Sequence, residues 1–315
     1  MSKKVIAIAG GTGAQGGGLA RAILADSSSD FTPRVLTRNP KSDKARALER
    51  AGAQVVAADV DDPSSVVNAF RGAHAAYCVT FFWEHFSAEK EKAQARTLAE
   101  AAKTAGVQHA IWSSLEDMRQ WVPVESTTMP TLQEKYKVPH FDAKGEADAY
   151  FSERGVPTTV LLTSYYWDNM IHFGTGPKPG ADGKLALTMP TGEAKVAGIA
   201  AEDIGKCAYG IFKAGAPYIG KTIGIAGEML TGTEMAAALS KALGQEVVYN
   251  DVPADVFRGF GFPGADEMGN MYQVWRDFNA QYCKNRSVSA SRELNPELLS
   301  FAGWLARNAS RIPLE

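Results

Sequence analysis

Gly10-Gly11-Thr12-Gly13-Ala14-Gln15-Gly16 follows the apolar run Val5–Ala9 and precedes Leu19–Leu24, so a glycine-rich turn joins a strand to a helix. Glycines at this spacing do phosphate chemistry. One makes the tight turn, one lets the backbone approach a pyrophosphate, and one lets helix and strand pack closely. The phosphates then meet unpaired N–H groups at the positive end of the helix. The next strand runs into Thr37-Arg38-Asn39, where the spacing rule looks for an acidic residue that binds the ribose hydroxyls of NAD. No Asp or Glu stands there. Arg38 instead offers a planar cation suited to a 2′-phosphate, which favours NADP; the plainer alternative is a solvated surface arginine.

Such residues need a scaffold that gathers strand ends. Strand-like runs recur at Val5–Ala9, Arg34–Thr37, Gln54–Ala57, Ala75–Thr80, His109–Ser113 and Thr158–Thr163. Helices are expected between them at Gly16–Ala25, Lys41–Ala51, Ser64–Phe70, Ala88–Ala105 and Ala143–Arg154. Repeated β-α alternation predicts an α/β, Rossmann-type, doubly wound parallel sheet covered on both faces. After Ser164 the pattern shifts to Gly- and Pro-bearing connections (Gly174–Gly183), short strands near Leu185–Thr188 and Thr222–Ala226, and helices near Ala201–Lys213, Thr233–Leu243 and Ala265–Arg276. The expectation is a nucleotide-binding domain over 1–163, joined by some later segments, and a smaller α/β cap over 164–315 that closes over the cofactor. Asp117–Val138, with Pro123 and Pro130, reads as a long loop of the kind that serves as a lid or moving part.

Composition narrows what the site can serve. A chain of 315 residues, 45% hydrophobic, can bury a substantial core. Its net charge of −2 provides no field for a polyanion, and it has no helix-turn-helix or zinc-finger spacing, so direct nucleic-acid binding is disfavoured. Cys78, Cys207 and Cys283 lie far apart without a CxxC pair, which implies neither a disulfide framework nor a metal site. Met1–Lys4 runs straight into a strand, leaving no room for a signal peptide, and no apolar stretch approaches a membrane span. A cytoplasmic chain without a membrane partner is expected.

Taken together, Gly10–Gly16, Thr37-Arg38-Asn39-Pro40, Ala58-Asp59-Val60-Asp61-Asp62, Val79-Thr80-Phe81-Phe82-Trp83, His140-Phe141-Asp142-Ala143-Lys144-Gly145-Glu146 and Phe262-Pro263-Gly264-Ala265 resemble the NmrA-like family of atypical short-chain dehydrogenase/reductases. The likeness implies NADP(H) binding. Gly10, Gly11, Thr12, Gly13, Ala14 and Gln15 would hold the pyrophosphate, Arg38 the 2′-phosphate, and Asp59 and Val60 the adenine. Thr80, Phe81 and Phe82 would lie near the ribose, Lys144 would reach the nicotinamide ribose, and Tyr166 and Asn169 would line the nicotinamide pocket. Each has a plainer reading: Asp59 as the cap of the next helix, the phenylalanines and tyrosine as packing, and Lys144 as a solvated charge.

Two departures from the resemblance bear on function. Where short-chain dehydrogenases place Tyr-x-x-x-Lys, whose tyrosine passes a proton to a carbonyl oxygen, this chain has His140-x-x-x-Lys144. In Lys41-Ser42-Asp43-Lys44, Ser42 and Asp43 stand where a relative in the family carries further basic residues, weakening the grip on a 2′-phosphate. The resemblance therefore implies a regulator whose conformation or protein-partner affinity tracks the redox state of NADP(H). The alternative is an NADPH-dependent reductase of an aldehyde, ketone or enone with Lys144 or His140 as general acid; the isoflavone-reductase-like enzymes, which resemble this chain in keeping the lysine without the tyrosine, use that lysine as acid or base. Its substrate would be a small apolar or aromatic molecule suited to Phe81, Phe82, Trp83, Tyr165, Tyr166 and Trp167. A homodimer is left open.

Overall fold

The computed structural model describes residues 3–180 and 183–315; Met1 and Ser2 of the expected leading run, and part of the Gly174–Gly183 connection, lie outside the described residues. The chain alternates β1 (Lys4–Ile8), α1 (Ala14–Ala25), β2 (Phe31–Thr37), α2 (Asp43–Arg50), β3 (Gln54–Ala57), α3 (Pro63–Phe70), β4 (Ala75–Cys78), α4 (Ala88–Thr104), β5 (His109–Ser114), α5 (Pro139–Glu153) and β6 (Thr158–Leu162). Local chemistry explains the helix starts. Ser42 caps α2 and Ser87 caps α4, each accepting from a backbone N–H three residues on, and Asp62 caps α3 ahead of Pro63.

The strands form a sheet in the order β3-β2-β1-β4-β5-β6, with neighbours parallel. Thr222–Gly224, expected in the smaller region, instead extends this sheet at its edge beside β6. A three-residue strand carries too little pattern to name its partner, and its neighbour is fixed only by folding. The order reverses between β1 and β4, and in a doubly wound sheet ligands bind outside the carboxyl ends of strands at such a switch point. Ala76, Cys78, Leu98, Trp112 and Phe151 belong to the buried core that packs α3, α4 and α5 against the sheet.

Two compact units result. The first comprises 1–117, 140–163 and 202–223, and thus the large sheet except Gly224, the last residue of its edge strand. Within it, the helix Ala201–Ala214 meets α1 at glycines: a Cβ on Gly205 would stand 2.1 Å from Leu19 N, and one on Gly18 would stand 2.8 Å from Glu202 O.

The second unit comprises 118–139, 164–201 and 224–315. It holds two three-stranded sheets, one from Tyr165–Tyr166, Val196–Ile199 and Glu228–Leu230, the other from Lys178–Pro179, Leu185–Thr188 and Val247–Asn250. Its part of the expected lid is tied down by polar contacts. The buried Lys137 ammonium donates to Ser126 O, Met129 O and Thr131 Oγ1 at 2.7, 3.1 and 2.9 Å. From the helix Ala265–Asp277, Asn270 donates to the carbonyls of Pro130 and Lys137, and Gln273 to that of Thr128.

Candidate functional site

The glycine turn occupies the β1 end of the switch point. Gly10 takes a positive φ of 58°, a conformation that only glycine adopts without strain, and its carbonyl accepts from Gly13 N at 2.8 Å. Gly13 then heads α1 with no side-chain cap, and the first turn of α1 holds no acidic residue. The start of α1 thus carries neither a side-chain cap nor an acidic residue of its own to repel an anion. A Cβ on Gly13 would meet only Gly10 O, at 3.1 Å, with space beyond. A Cβ on Gly16 would instead lie 2.5 Å from Gly10 O, so Gly16 serves the packing of helix against turn. Gln15 turns inward: its Oε1 accepts from Ser113 Oγ at 2.8 Å and from the Tyr77 hydroxyl, which ties α1 to β4 and β5.

On one side of this turn Arg38 follows β2, and its guanidinium pairs with Glu84, in a short turn (Phe82–Glu84) after β4. Asp59 does not cap α3. Its Oδ1 accepts from Asp61 N, and its backbone carbonyl accepts from Ser65 Oγ, while Asp62 takes the cap. Val60 packs against the core. Ser42 and Asp43, read as weakening a phosphate grip, start α2 as its cap and first-turn acid.

On the other side, after β4, Thr80, Lys144 and the unforeseen Glu91 form a buried group. Lys144 Nζ donates to Thr80 Oγ1 at 2.7 Å and pairs with Glu91 Oε1 at 2.8 Å, and Thr80 Oγ1 donates to Glu91 Oε1 at 2.5 Å. His85 Nε2 stands 3.4 Å from Glu91 Oε2, and the Lys144 ammonium lies over the Trp112 ring, 4.9 Å from its centre. Burial alone would raise the Glu91 pKa, but Lys144, His85 and Thr80 outweigh it and hold the carboxyl well below its ordinary range. One turn further along α5, Asp148 accepts from Ser114 Oγ at 2.5 Å and Trp112 Nε1 at 2.9 Å. Burial pushes it up to about 6 despite those bonds.

His140 packs into rings, with centroid distances of 5.7 Å to Phe82, 4.9 Å to Trp83 and 4.7 Å to Phe141. Phe82 itself is 1% exposed and is a core side chain, whereas Phe81 is 50% exposed. Tyr166 and Asn169 belong to the second unit, where Tyr165 and Trp167 are buried. Among the described residues no cluster of three His, Cys, Asp or Glu could hold a metal ion, and no helix is long and apolar enough to cross a membrane.

A glycine turn at a Rossmann switch point is shared by many proteins, but a profile of the NmrA-like family matches residues 2–305. The chain belongs to the NmrA-like family. An NmrA-like family domain-containing protein of Dictyostelium discoideum is 27% identical over 257 residues, 79% of this chain and 80% of that protein. An NAD(P)H azoreductase of Xenophilus azovorans is 28% identical over 279 residues, 86% of this chain and 87% of that one. Among solved structures, NmrA, described as a negative transcriptional regulator and in complex with NADP, shares the fold at 23% identity with a TM-score of 0.79, over 98% of this chain and 96% of that one. The same regulator in complex with NAD gives a TM-score of 0.80 over the same shares.

In this NmrA-like chain, sequence reasoning missed Glu84, His85, Glu91 and Asp148. Glu91 sits in Ala88-Glu89-Lys90-Glu91-Lys92, which reads as a solvated charged run, yet both Glu91 and Lys92 are buried toward α5, Lys92 pairing with Glu146 at 2.8 Å. The available signal was that Lys144 needs a counter-charge if buried. The spacing could not say which acid supplies it.

Proposed function

We propose that this protein is an NADP(H)-binding regulator whose state follows the redox state of the cofactor and which has little or no dehydrogenase activity. The glycine turn fits a dinucleotide: the uncapped start of α1 and the space above Gly13 leave room for a pyrophosphate against Gly10, Gly11, Thr12, Gly13, Ala14 and Gln15. Arg38 meets the 2′-phosphate, Asp59 and Val60 the adenine, Thr80 and Phe81 the ribose, with Phe82 lying beneath as support, and Lys144 the nicotinamide ribose. A bound nicotinamide would supply or accept hydride.

The observation that carries the regulatory reading is the state of the two candidate acids. The dehydrogenase tyrosine is replaced by His140, whose ring is enclosed by Phe82, Trp83 and Phe141. The Lys144 ammonium is engaged by Thr80 and Glu91. Passing a proton from Lys144 to a substrate would strip the buried Glu91 carboxylate of its counter-charge, and breaking such a pair costs about 3–5 kcal/mol. The azoreductase relative and the exposed Phe81 support a second reading, reduction of an apolar or aromatic substrate.

A screen of NADPH oxidation against azo, aldehyde, ketone and enone compounds separates the two. The regulator shows no appreciable turnover with or without Lys144→Ala, while that substitution weakens NADP(H) binding. Wild-type turnover reduced about 10²–10⁴-fold by Lys144→Ala would promote the reductase. Calorimetry with NADP⁺ and NADPH tests the redox response, because ligands that favour both conformations equally shift nothing. Equal affinities together with identical proteolysis patterns for the two bound forms would sink it.

A further inference from the structure

We infer that Glu84 sets the cofactor specificity of the site by competing with a 2′-phosphate for Arg38. The inference rests on the dinucleotide reading above and deepens it. β2 and β4 flank β1 in the sheet, so the segments that follow them stand on either side of the glycine turn. Arg38 follows β2, and Glu84 ends the short turn after β4. That turn is fixed from below: Phe82 is buried, and its carbonyl accepts from His85 N at 3.0 Å and Phe86 N at 2.8 Å. Glu84 is thus held by its own backbone with its carboxylate on the Arg38 guanidinium.

Charge around Arg38 points the same way. The carboxylates whose fields reach it are Glu84, Asp59 and Asp61. Asp61 is already matched by Lys90 at 2.9 Å, and Lys90 also feels Glu84 and Asp59. Three carboxylates thus bear on Arg38, one of them already paired. A 2′-phosphate brings about two more negative charges, whereas a 2′-hydroxyl brings none and can donate to a carboxylate. Glu84 therefore lowers NADP affinity and leaves NAD affinity nearly untouched.

The magnitude follows from exposure. Side-chain exposures of 60% for Arg38 and 44% for Glu84 make this a solvent-screened pair, so Glu84 biases the site and does not block it. Exposed pairs of this kind correspond to roughly two- to fivefold in an equilibrium constant. The effect shrinks as added salt screens the charges.

The experiment is calorimetric titration of NADP⁺ and NAD⁺ into wild type, Glu84→Gln and Arg38→Ala at low and at high salt. The expected result is that Glu84→Gln raises NADP⁺ affinity about two- to fivefold, leaves NAD⁺ affinity within error, and loses most of its effect at high salt. An NADP⁺/NAD⁺ affinity ratio that is unchanged or lowered in Glu84→Gln, while wild type binds both and Arg38→Ala weakens NADP⁺, overturns this proposal and leaves the dinucleotide reading intact. Absence of binding of either dinucleotide to wild type overturns both.

Discussion

Gly13 and Gly16 occupy the same turn, yet substitution should separate binding from folding. A side chain at Gly13 points into space that a pyrophosphate would need, and one at Gly16 collides with the carbonyl of Gly10. Gly13→Val should abolish NADP(H) binding in calorimetry with an unchanged melting temperature; retained affinity would show that this turn is not the phosphate site. Gly16→Val should lower the melting temperature itself. Glu91 is the second informative residue. Its carboxyl lies at about 2 against an ordinary 4.5, so it contributes stability above about pH 4.5 that is lost as pH falls toward about 2. Glu91→Gln removes that contribution and leaves Lys144 without its counter-charge, destabilising the fold by about 3–5 kcal/mol near neutral pH. Urea unfolding at pH 7 and pH 3 should show a gap between wild type and variant that narrows at the lower pH; a constant gap would mean that Glu91 acts by packing alone.

At the scale of elements, α5 is fastened to β5 by a carboxyl that would rather be neutral. Asp148 titrates near 6 in the fold against 3.8 ordinarily, so its contribution falls as pH rises from about 4 to about 6 and stays unfavourable above. Asp148→Asn keeps an acceptor for Ser114 and Trp112, and should stabilise the protein above pH 6 by roughly 2–3 kcal/mol while flattening its stability between pH 4 and 6. Denaturant midpoints across that range decide it, and a parallel pH profile in the variant would count against the assignment. The same helix shows what could be read beforehand. Strands β1 to β6 and helices α1 to α5 were legible because apolar runs and caps such as Ser87 and Asp62 are local signals. The start of α5 was expected four residues late, since Pro139 opens a helix whose first turn is buried and shows no amphipathic contrast. The partners of Lys144 and Arg38 were not legible, because Glu91 and Glu84 come from a different βα unit and only sheet order brings them near.

The molecule as a whole is two units threaded by one chain that crosses between them four times, at 117/118, 139/140, 163/164 and 201/202, before leaving the first for good at 223/224. The change of pattern at Ser164 was visible in the sequence, and so was the expectation that later segments rejoin the first unit, but not that 202–223 are the ones, since the helix Ala201–Ala214 meets α1 at the bare backbone of Gly18 and Gly205 and at Asp26, which accepts from Tyr209. Gly205→Ala should overpack that crossing and lower stability by about 1–3 kcal/mol, carrying NADP(H) affinity down with it, because α1 bears the phosphate turn. An unchanged melting temperature would show that the crossing has slack. The threading also orders events on the ribosome. The phosphate turn is made at Gly10–Gly16, yet the helix that backs α1 is complete only at Ala214 and the strand beside β6 only at Gly224. A nascent chain must therefore carry an uncovered helix and an open β edge until those residues are made. The turn is encoded long before its bracing is complete, and a message broken between Gly16 and Ala201 yields a product that carries the fingerprint without the helix that backs it.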